Sequence, residues 1–549
     1  MTPSLQDSRF DIILIQPPIR DFYLTTKRTI PYGLAGIAAG LIEAGFSVKI
    51  LDALATPKSR VIDLPEEMRY LQPYYGRSDH SPFALFHHYK HFGYSFAYLG
   101  QQVKKSQPFL VGISALFTAY ADEAVKTAET VKAYHPACKI VLGGHHPTAL
   151  PDRVMESAAV DFVLRGEGEV SMTLLAEAIR RGLAYDKIAG LVYRKSDGSL
   201  HVNETAIMRN PDDYPLPATH LLNHRYYSRN KKAAAVIVAS RGCPMKCTYC
   251  SVGASSPFNH RRRSVESVVA EIENAVNQYD AGFIDFEDEN LALDRNWFLQ
   301  LLNEIKQRFD GNQLELRAMN GLLPSSLDEQ VIAAMKAAGF RTLNLSLCTT
   351  ATAQLKRFQR PDVRRAFERA LVLAETYALK AVGYIIIGAP FQKATDSLAD
   401  LLFLAKLRVL AGSSVFYPAP GSADYAGCAS MGLLPKHFSC MRSSALPLSH
   451  TTTRQESITL LRLSRIVNFM KYLIDRDLPL PDPAPATDHL EDPDGREAAG
   501  RQLLKFFLYD GKIRGVGVNA EVFEHDTCPE LSKQFLAGLK SIRIRACEI

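Results

Sequence analysis

Short apolar runs alternate with helical stretches along the first third of the chain. Most runs end at glycine, proline or a polar residue, as buried strands do. The predicted helices are 32–44, which stops at Gly45, then 119–135, and a third that ends at 181. The predicted strands are 11–15, 46–51, 109–114, 139–142 and 161–164. This alternation predicts a doubly wound, Rossmann-like parallel sheet that binds ligands at the carboxyl ends of its strands.

A second alternating series begins near residue 234, after a small β-rich bridge and the proline-rich stretch 211–217. Ser264 is a predicted N-cap, with Glu266 in the first turn of a helix over 265–278. Six strand–helix units predict a partial (β/α)6 barrel, whose chemistry belongs at the carboxyl ends of its strands by analogy with complete barrels. The predicted strands are 236–240, 283–286, 313–317, 342–347, 382–387 and 414–417.

The fold class is therefore α/β, and we expect four regions along the chain. They are the Rossmann-like sheet over 10–185, a bridging segment over 186–232, the partial barrel over 233–430 and a small C-terminal region over 431–549. Within the first region, 58–100 is predicted to be an irregular insert rich in aromatic residues and histidine. Within the last, prolines and aspartates near 479–495 predict a linker or mobile loop, followed by a helix near 501–509.

Size and composition exclude some classes of protein. At 549 residues, with 47% hydrophobic and 22% charged residues, the chain has the composition of a multidomain globular protein. No apolar run reaches the roughly 18 residues of a membrane span. The net charge of +6 is modest, and runs such as Arg261-Arg262-Arg263 are more often solvated surface. We expect no membrane span and no nucleic-acid partner.

Three cysteines form a compact motif after the first predicted barrel strand. Cys243, Cys247 and Cys250 have the spacing C-x3-C-x2-C. A cubane cluster takes four thiolates, so three predict a [4Fe-4S] cluster with one iron open to a substrate or cofactor. The alternative is structural zinc with His260 as a fourth ligand, although zinc sites usually use two separated pairs.

The remaining cysteines and the N-terminus bear on the compartment. The nine cysteines are odd in number and scattered, and residues 1–9 are polar, which fits a reducing cytoplasm. We expect the six cysteines outside the motif to be small buried or incidental residues. They are Cys138, Cys348, Cys428, Cys440, Cys528 and Cys547.

The sheet followed by this motif in a six-unit barrel resembles the cobalamin-binding radical S-adenosylmethionine (SAM) enzymes over about residues 10–430. The resemblance implies that the three cysteines bind a [4Fe-4S] cluster and that SAM chelates its open iron. It also implies a set of SAM contacts. They are the aromatic Tyr249, the acidic Glu287 and Asp288, and Gly383, Ile385 and Gly388 in the run 383–390. An acidic group suits the SAM ammonium, and a solvated acidic loop is the alternative for 287–288.

One part of the barrel departs from the family pattern. The family often has a glutamate followed by Ser-Gly after the fourth strand, whereas this chain has Leu347-Cys348-Thr349-Thr350. Cys348 is expected to pack as a small residue, and Thr349 or Thr350 is an alternative SAM contact. The turn Tyr-Pro-Ala-Pro-Gly-Ser at 417–422 resembles the family's turn after the last strand.

For the first sheet, the resemblance implies cobalamin. The residues that fall where the family's loops surround this cofactor are Gln16, Pro17, Ser114, Gly143, Gly144, His145, His146, Gly166, Glu167 and Gly168. The Asp-x-His-x-x-Gly motif, whose histidine ligates cobalt in other cobalamin proteins, is absent. We therefore expect His145 and His146 to hydrogen-bond or pack, with cobalt ligation as the alternative.

The resemblance implies an oxygen-sensitive enzyme, most simply a methyltransferase acting on an unactivated carbon of a biosynthetic intermediate. A 5′-deoxyadenosyl radical from SAM would remove a hydrogen atom, and methylcobalamin would deliver the methyl group. We expect a small-molecule or peptide substrate and a flavodoxin- or ferredoxin-type electron donor. No individual catalytic residue is assigned.

Three alternatives to this function remain open. The first is a radical SAM cyclase or rearrangement enzyme. The second is a radical SAM enzyme whose first sheet binds something other than cobalamin. The third, from another class, is a cobalamin-binding sensor or carrier with an iron–sulfur cluster.

Overall fold

A computed structural model describes residues 9–22, 30–86, 88–229, 231–252, 260–309, 313–491 and 494–547. Within these ranges, seven strands form the N-terminal sheet. Five parallel strands lie in the spatial order Phe162–Leu164, Lys139–Gly143, Leu110–Ser114, Ile12–Gln16 and Val48–Asp52. The hairpin Leu191–Arg194 and Leu200–Val202 extends the sheet with two antiparallel strands. The predicted parallel sheet is therefore confirmed, and part of the expected bridging segment belongs to it.

The strand Ile12–Gln16 explains why this sheet is covered on both faces. Ile12 and Leu14 pack in one apolar cluster, whereas Ile13 and Ile15 pack in another. Successive side chains of a strand point to opposite faces, so a continuous apolar run needs helices on both sides. The helices are Tyr32–Glu43 and Gly168–Arg181 with the first cluster, and Phe96–Ser106 and Ala121–Tyr134 with the second.

The described residues of the insert 58–100 are more regular than predicted. Ser59–Val61 and Lys90–Phe92 form a three-stranded antiparallel sheet with Ile19–Asp21. The helix Phe96–Ser106 begins within the insert, and the Ser95 hydroxyl caps it by accepting from the Tyr98 amide. Five aromatic side chains of the insert pack with Cys440, Leu446 and Ile458 of the C-terminal region, namely Tyr70, Tyr74, Tyr75, Phe86 and Tyr89. These partners lie more than 300 residues away, which no local pattern reveals.

Six parallel strands in the described residues build the open barrel. The first sheet of the barrel holds Lys232–Ile237, Ala281–Phe286 and Glu315–Arg317, and the second holds Thr342–Cys348, Lys380–Ile387 and Leu410–Val415. Isolated parallel bridges, Leu316 with Phe340 and Leu322 with Leu345, join the two sheets. The last strand begins at Leu410, four residues before the prediction. The partial barrel is confirmed.

Helices cover the outside of the barrel. They are Val265–Tyr279, Arg295–Arg308, Glu329–Ala338, Thr352–Arg357, Arg364–Thr376 and Ala394–Ala405. The predicted N-cap is present, because the Ser264 Oγ accepts a hydrogen bond of 3.2 Å from the Ser267 amide. Asp294 and Asp328 cap the next helices in the same way. Such caps satisfy amides that a helix start leaves unpaired.

The C-terminal region is more regular than expected. Its helices are Arg454–Asp475, Gly495–Asp510 and Pro529–Lys540, and its hairpin is Arg514–Val516 with Val522–Glu524. Leu460, Phe469 and Phe535 belong to the same apolar core as the barrel strands. The stretch 479–486 has neither helix nor strand, whereas Asp492 of the predicted linker lies outside the described residues. The four region boundaries stay a prediction. In the described ranges, we find no helix with the length and apolar character to cross a bilayer.

Candidate functional site

The cysteine motif lies at the carboxyl end of the first barrel strand. Cys247 is buried, whereas Cys243 and Cys250 are half-buried, and all three thiols are free. The Cys250 amide donates to the Cys247 carbonyl at 3.1 Å, which folds the motif into a tight turn. Burial raises the pKa of the Cys243 thiol. A positively charged metal cluster would reverse this, because coordination favours the thiolate.

The acidic run after the second barrel strand holds the start of the cysteine loop. Asp288 accepts from the Ala239 amide at 3.2 Å and from the Ser240 hydroxyl at 2.5 Å. Burial raises the pKa of Asp288 to about 7, against the effect of these hydrogen bonds. Glu289 accepts from the Gly242 amide at 3.1 Å, directly before Cys243. The run is therefore not simply a solvated loop, because two of its carboxylates brace the motif.

The three acidic side chains of this run differ in their exposure to solvent. Asp288 is buried, Glu287 is half-buried and Glu289 is exposed. Protein surrounds Glu289 closely enough that burial raises its pKa, as in a recess that is open to solvent on one side. Glu289, which the sequence analysis did not select, is therefore the carboxylate that combines access with a contact to the cysteine loop.

Two nitrogen donors lie against cysteine sulfurs. The Asn290 Nδ2 is 3.9 Å from the Cys243 Sγ, and the Arg360 Nη1 is 3.7 Å from the Cys247 Sγ. Arg360 also donates to the Tyr249 hydroxyl at 3.2 Å and to Ser346, at 3.0 Å to the carbonyl and 2.8 Å to the Oγ. Neither donor was predicted, because Asn290 and Arg360 lie 47 and 113 residues from their sulfurs.

Tyr249 lies behind the cysteine loop. Its ring meets Phe358 edge to face, with 4.9 Å between centroids. Burial raises the pKa of its hydroxyl well above the usual value. The Thr248 amide, one residue earlier, donates to the Phe358 carbonyl at 3.1 Å, so the loop is fixed to the chain after the fourth barrel strand. A SAM contact by the Tyr249 ring stays a prediction.

Buried and half-buried residues alternate along the fifth barrel strand, which carries two of the predicted SAM residues, Gly383 and Ile385. Gly383, Ile385 and Ile387 are buried, whereas Tyr384 and Ile386 keep solvent access on the barrel interior. A Cβ on Gly383 would lie 2.8 Å from Phe367 and 3.0 Å from Leu404 of the outer helices. Gly383 and Ile385 therefore offer SAM only their backbone. Gly388 has a φ of +72°, and its Cβ would meet Ser457 rather than the interior.

Asp400 binds the two threonines that stand where this chain departs from the family pattern. It accepts from the Thr349 Oγ1 at 2.8 Å, and from the Thr350 amide and hydroxyl at 2.6 Å each. Burial raises the pKa of Asp400 to about 6. Both threonine hydroxyls are thus used within the protein, which leaves little for the alternative SAM contact. Cys348 is buried as expected, with an unusual φ of +73°.

The predicted cobalamin residues of the third and fourth sheet strands lie together. Ser114 pairs with Gly143 at the strand ends. Gly144 has a φ of +123°, and its Cβ would lie 2.7 Å from the Ala115 carbonyl, so glycine is required there. The neighbouring Leu116 and Phe117 are exposed although apolar. Such a surface fits a large, partly apolar ligand.

The two histidines of this loop have different surroundings. His146 is buried, with its Nδ1 3.2 Å from the Thr118 Oγ1 and its ring against Phe438, and burial lowers its pKa to about 4. The expectation that it packs or hydrogen-bonds agrees with this position. His145 is exposed, yet its surroundings lower its pKa, as for a side chain in a deep recess. At the other strand ends, Gln16 is half-buried and Pro17 is buried.

The remaining cobalamin candidates join the sheet to the barrel. Glu167 accepts from Arg261 at 2.7 and 3.0 Å and from the Met208 amide, so both its oxygens are used. A Cβ on Gly166 would clash with the Ala206 carbonyl, and a Cβ on Gly168 would lie 2.8 Å from Ile37. These positions pack against protein, and a cobalamin contact there stays a prediction.

The loops of the two sheets meet at Gly421, in the turn after the last barrel strand. A Cβ on Gly421 would lie 3.5 Å from the Ala149 Cβ of the first domain and 3.9 Å from the Ser251 Cβ beside the last motif cysteine. The helix that begins at the predicted cobalamin residue His145 and the cysteine loop therefore both lie beside Gly421.

His260 is the fourth ligand in the alternative of a structural zinc site. It lines a surface depression with Arg262, Asp294 and Arg295. In the ranges that the structure covers, no three Cys, His, Asp or Glu side chains converge as a single metal ion requires. Three thiols with nitrogen donors at two of the sulfurs fit an iron–sulfur cluster, whose sulfurs are tuned by such hydrogen bonds. The exposed apolar surface of Leu116 and Phe117 beside the predicted cobalamin residues fits cobalamin.

Comparisons with known proteins agree with this division. Residues 89–176 match the B12 binding domain, and residues 237–402 match the radical SAM superfamily. An uncharacterized methyltransferase of Pyrococcus horikoshii is 28% identical over 418 residues, which cover 75% of this chain and 81% of that protein. The anaerobic magnesium-protoporphyrin IX monomethyl ester cyclase of Rubrivivax gelatinosus is 31% identical over 264 residues, 47% of this chain and 46% of that protein.

A solved structure shares the fold. It is the radical SAM methyltransferase TsrM from Kitasatospora setae with cobalamin and a [4Fe-4S] cluster bound, with a TM-score of 0.57 at 18% identity over 77% of this chain and 75% of that one. The radical SAM match includes the cysteine motif, so an iron–sulfur cluster replaces the zinc alternative. The B12 match replaces the alternative of a different ligand on the first sheet. The chain therefore belongs to the cobalamin-binding radical SAM enzymes, whose cofactors are cobalamin, SAM and a [4Fe-4S] cluster.

Proposed function

We propose that this enzyme is a methyltransferase that methylates an unactivated carbon of a small-molecule biosynthetic intermediate. The observation that carries the proposal is that Gly421 lies beside both Ala149, close to the predicted cobalamin loop, and Ser251, next to the last motif cysteine, since methyl transfer needs the two cofactors on one substrate. When bound, the cluster and SAM supply a 5′-deoxyadenosyl radical and cobalamin supplies the methyl group, because the hard chemistry belongs to the cofactors.

In this proposal the residues of the barrel bind and orient the cofactors. Cys243, Cys247 and Cys250 are the cluster ligands. Glu289 is the partner of the SAM ammonium, because it is accessible and contacts the loop of the first cysteine. Asp288 supports it by fixing that loop. Tyr249 and the backbone of Gly383, Ile385 and Gly388 approach the adenine.

The substrate occupies the barrel interior beside SAM. The interior is accessible and mixed in polarity, with Met319, Ser346, Tyr384 and Ile386 exposed or half-buried. The Tyr384 hydroxyl accepts a bond of 2.6 Å from the Asn344 amide, so its own proton is free to donate to a substrate acceptor. A pocket that combines apolar walls with a few fixed polar groups suits a small organic molecule.

The first domain holds cobalamin through the loops at its strand ends. Ser114, Gly143, Gly144 and His145 lie at these strand ends as candidate contacts, with Leu116 and Phe117 as an apolar surface. A cytoplasmic flavodoxin- or ferredoxin-type protein supplies the electron that SAM cleavage consumes.

The second candidate function is a radical SAM cyclase. The 31% identity to the Rubrivivax gelatinosus cyclase favours it, although that relationship covers under half of either chain. The match of residues 237–402 to the radical SAM superfamily disfavours the alternative of a sensor or carrier. The mass of the product distinguishes the two candidate functions, because methylation adds 14 mass units whereas an oxidative cyclisation removes hydrogen.

The test uses anaerobic protein reconstituted with iron, sulfide and cobalamin. Candidate substrates are chosen from the pathway that neighbouring genes encode and are incubated with a chemical reductant and SAM carrying a CD3 group, because cleavage of SAM consumes an electron. A product heavier by 17 mass units supports methylation. A product lighter by 2 mass units, without label, would favour the cyclase.

A further inference from the structure

Arg360 is the one cation that we find against a motif sulfur in the described residues. Its Nη1 lies 3.7 Å from the Cys247 Sγ, on the side of the loop that Tyr249 covers. The residue follows the short helix Thr352–Arg357 and belongs to no motif that the sequence analysis selected. Its role is not explained by SAM or cobalamin binding.

The guanidinium is held in place from the other side. Nη2 donates to the Ser346 carbonyl at 3.0 Å and to the Ser346 Oγ at 2.8 Å, and Nη1 also donates to the Tyr249 hydroxyl. The Nε is buried, with no hydrogen-bond partner in the described structure. Leaving a buried donor unpaired costs free energy. Despite this cost, the guanidinium is held with its Nη1 directed at the Cys247 sulfur.

A fixed cation beside a cluster ligand has a defined electrostatic effect. Reduction adds one negative charge to the cluster, and a nearby cation stabilises the reduced state more than the oxidised state. Hydrogen bonds to cluster sulfurs act in the same direction and help to set the reduction potential. The effect is large where water is excluded, and Cys247 is the buried member of the motif.

Asn290 provides an internal comparison. Its Nδ2 lies 3.9 Å from the Cys243 Sγ, so it offers a nitrogen donor without a charge. Charge-assisted hydrogen bonds are roughly twice as strong as neutral ones. The two contacts therefore separate the effect of a positive charge from that of a hydrogen bond alone.

We propose that Arg360 is a positioning residue that raises the reduction potential of the cluster through the Cys247 sulfur, and so makes the cluster accessible to a protein electron donor. The proposal rests on the proposed function only in that the three cysteines bind the cluster. It does not depend on the substrate or on the fate of the methyl group.

The test compares Arg360→Met, Arg360→Gln and Arg360→Lys with wild type and with Asn290→Ala. Each protein is reconstituted anaerobically, its iron and sulfide are counted, and the midpoint potential is measured by EPR-monitored redox titration. We expect Met and Gln to lower the potential by about 59 mV, a tenfold change in the one-electron equilibrium. Lys should restore at least half of the shift, and Asn290→Ala should cause less than half of it.

Several results would overturn the proposal. One is a wild-type potential in Met and Gln variants that hold a full cluster. Another is a Lys variant as low as Met, which would assign the effect to shape rather than charge. Loss of the cluster from both neutral variants would show that Arg360 serves assembly instead. A wild-type protein without any cluster would instead defeat the proposed function, so the two failures are distinguishable.

Discussion

The Arg241 guanidinium lies 2.6 Å from the Glu169 carboxylate and thereby joins the two cofactor domains. Arg241 is two residues before Cys243, and Glu169 is in the first turn of the helix Gly168–Arg181 on the N-terminal sheet. Burial opposes the charge on Glu169, but Arg241 outweighs it and holds the pKa of Glu169 below its usual value. The cysteine loop is thus fixed to the domain that binds cobalamin.

Glu169→Gln should therefore loosen the domain contact. Removing one partner of this half-buried ion pair costs about 1.5 kcal/mol, because a charge-assisted hydrogen bond is lost while Arg241 keeps a longer contact of 3.5 Å to Glu167. We expect a loss of that order in the free energy of unfolding, measured with urea, and weaker retention of cobalamin. The control is Glu156→Gln, whose partner Arg153 is at the surface, where ion pairs contribute under about 1 kcal/mol. Equal effects of the two variants would contradict this account.

Cys247→Ala should abolish assembly of the cluster, because two thiolates do not hold it. Iron and labile sulfide should fall to background in the reconstituted variant, and its visible absorption should be lost. Cys138→Ala is the matched control, since this buried thiol donates to the His135 carbonyl in the first domain and binds no iron. Unaltered iron in the Cys247 variant would refute the assignment of the motif.

Glu289→Gln and Asp288→Asn should separate binding of SAM from support of the loop. A lost charge-assisted hydrogen bond costs about 1.5 kcal/mol or more, so we expect the Kd of SAM for Glu289→Gln to rise about tenfold. Asp288→Asn keeps a neutral partner for Ser240 and should retain SAM while its unfolding changes. The measurement is equilibrium dialysis of SAM with the oxidised cluster present. The reverse order of affinities would assign the ammonium to Asp288.

Gly383→Ala tests whether this glycine serves packing. The new Cβ would meet Phe367 and Leu404, and overfilling a packed core costs about 1–3 kcal/mol. We expect a lower melting temperature with unchanged affinity for SAM per folded molecule. The same change at Gly427, a helical glycine with nothing within 4 Å of the added Cβ, should stabilise the protein by about 0.5–1 kcal/mol. A stable Gly383 variant that binds SAM weakly would contradict this interpretation.

Asp400 should make stability depend on pH. Its folded pKa of about 6 lies above the usual 3.8, so its contribution is fully present below pH 3.8 and is lost as pH rises through 6. Relative to Asp400→Asn, wild type should lose about 1.4 kcal/mol between pH 5 and 8, the value of one pKa unit. Urea unfolding of both proteins at these two pH values provides the test. A difference that is constant with pH would refute it.

Local patterns were sufficient for most of the two sheets. Runs such as 11–15 and 342–347 are apolar because both faces are covered, and these two strands lie within one residue of the prediction. The first and last barrel strands each begin four residues before the prediction. In the last strand, Gly412 and Ser413 interrupt the apolar pattern ahead of the predicted start. Burial against a distant partner, rather than local hydrophobicity, decides where such a strand begins.

The candidate site was only partly predictable, for a related reason. The motif cysteines are close in sequence, so their spacing carries chemical meaning. Arg360, Asn290 and Asp400 act through contacts that span 47 to 113 residues, and none lies in a recognisable pattern. Glu167 shows the opposite case: it lies in a glycine-rich turn that suggests a ligand, yet both its oxygens bind arginine or backbone groups.

A test of cobalamin-dependent radical methyl transfer needs only the protein and its cofactors. Anaerobically reduced protein with full cluster and cobalamin content is incubated with SAM carrying a CD3 group, and the mixture is analysed by liquid chromatography and mass spectrometry. Cobalamin-dependent radical methyl transfer predicts both 5′-deoxyadenosine and cobalamin that carries the CD3 group. The Cys247→Ala variant should form no 5′-deoxyadenosine. Intact cofactors that yield neither product would contradict the account.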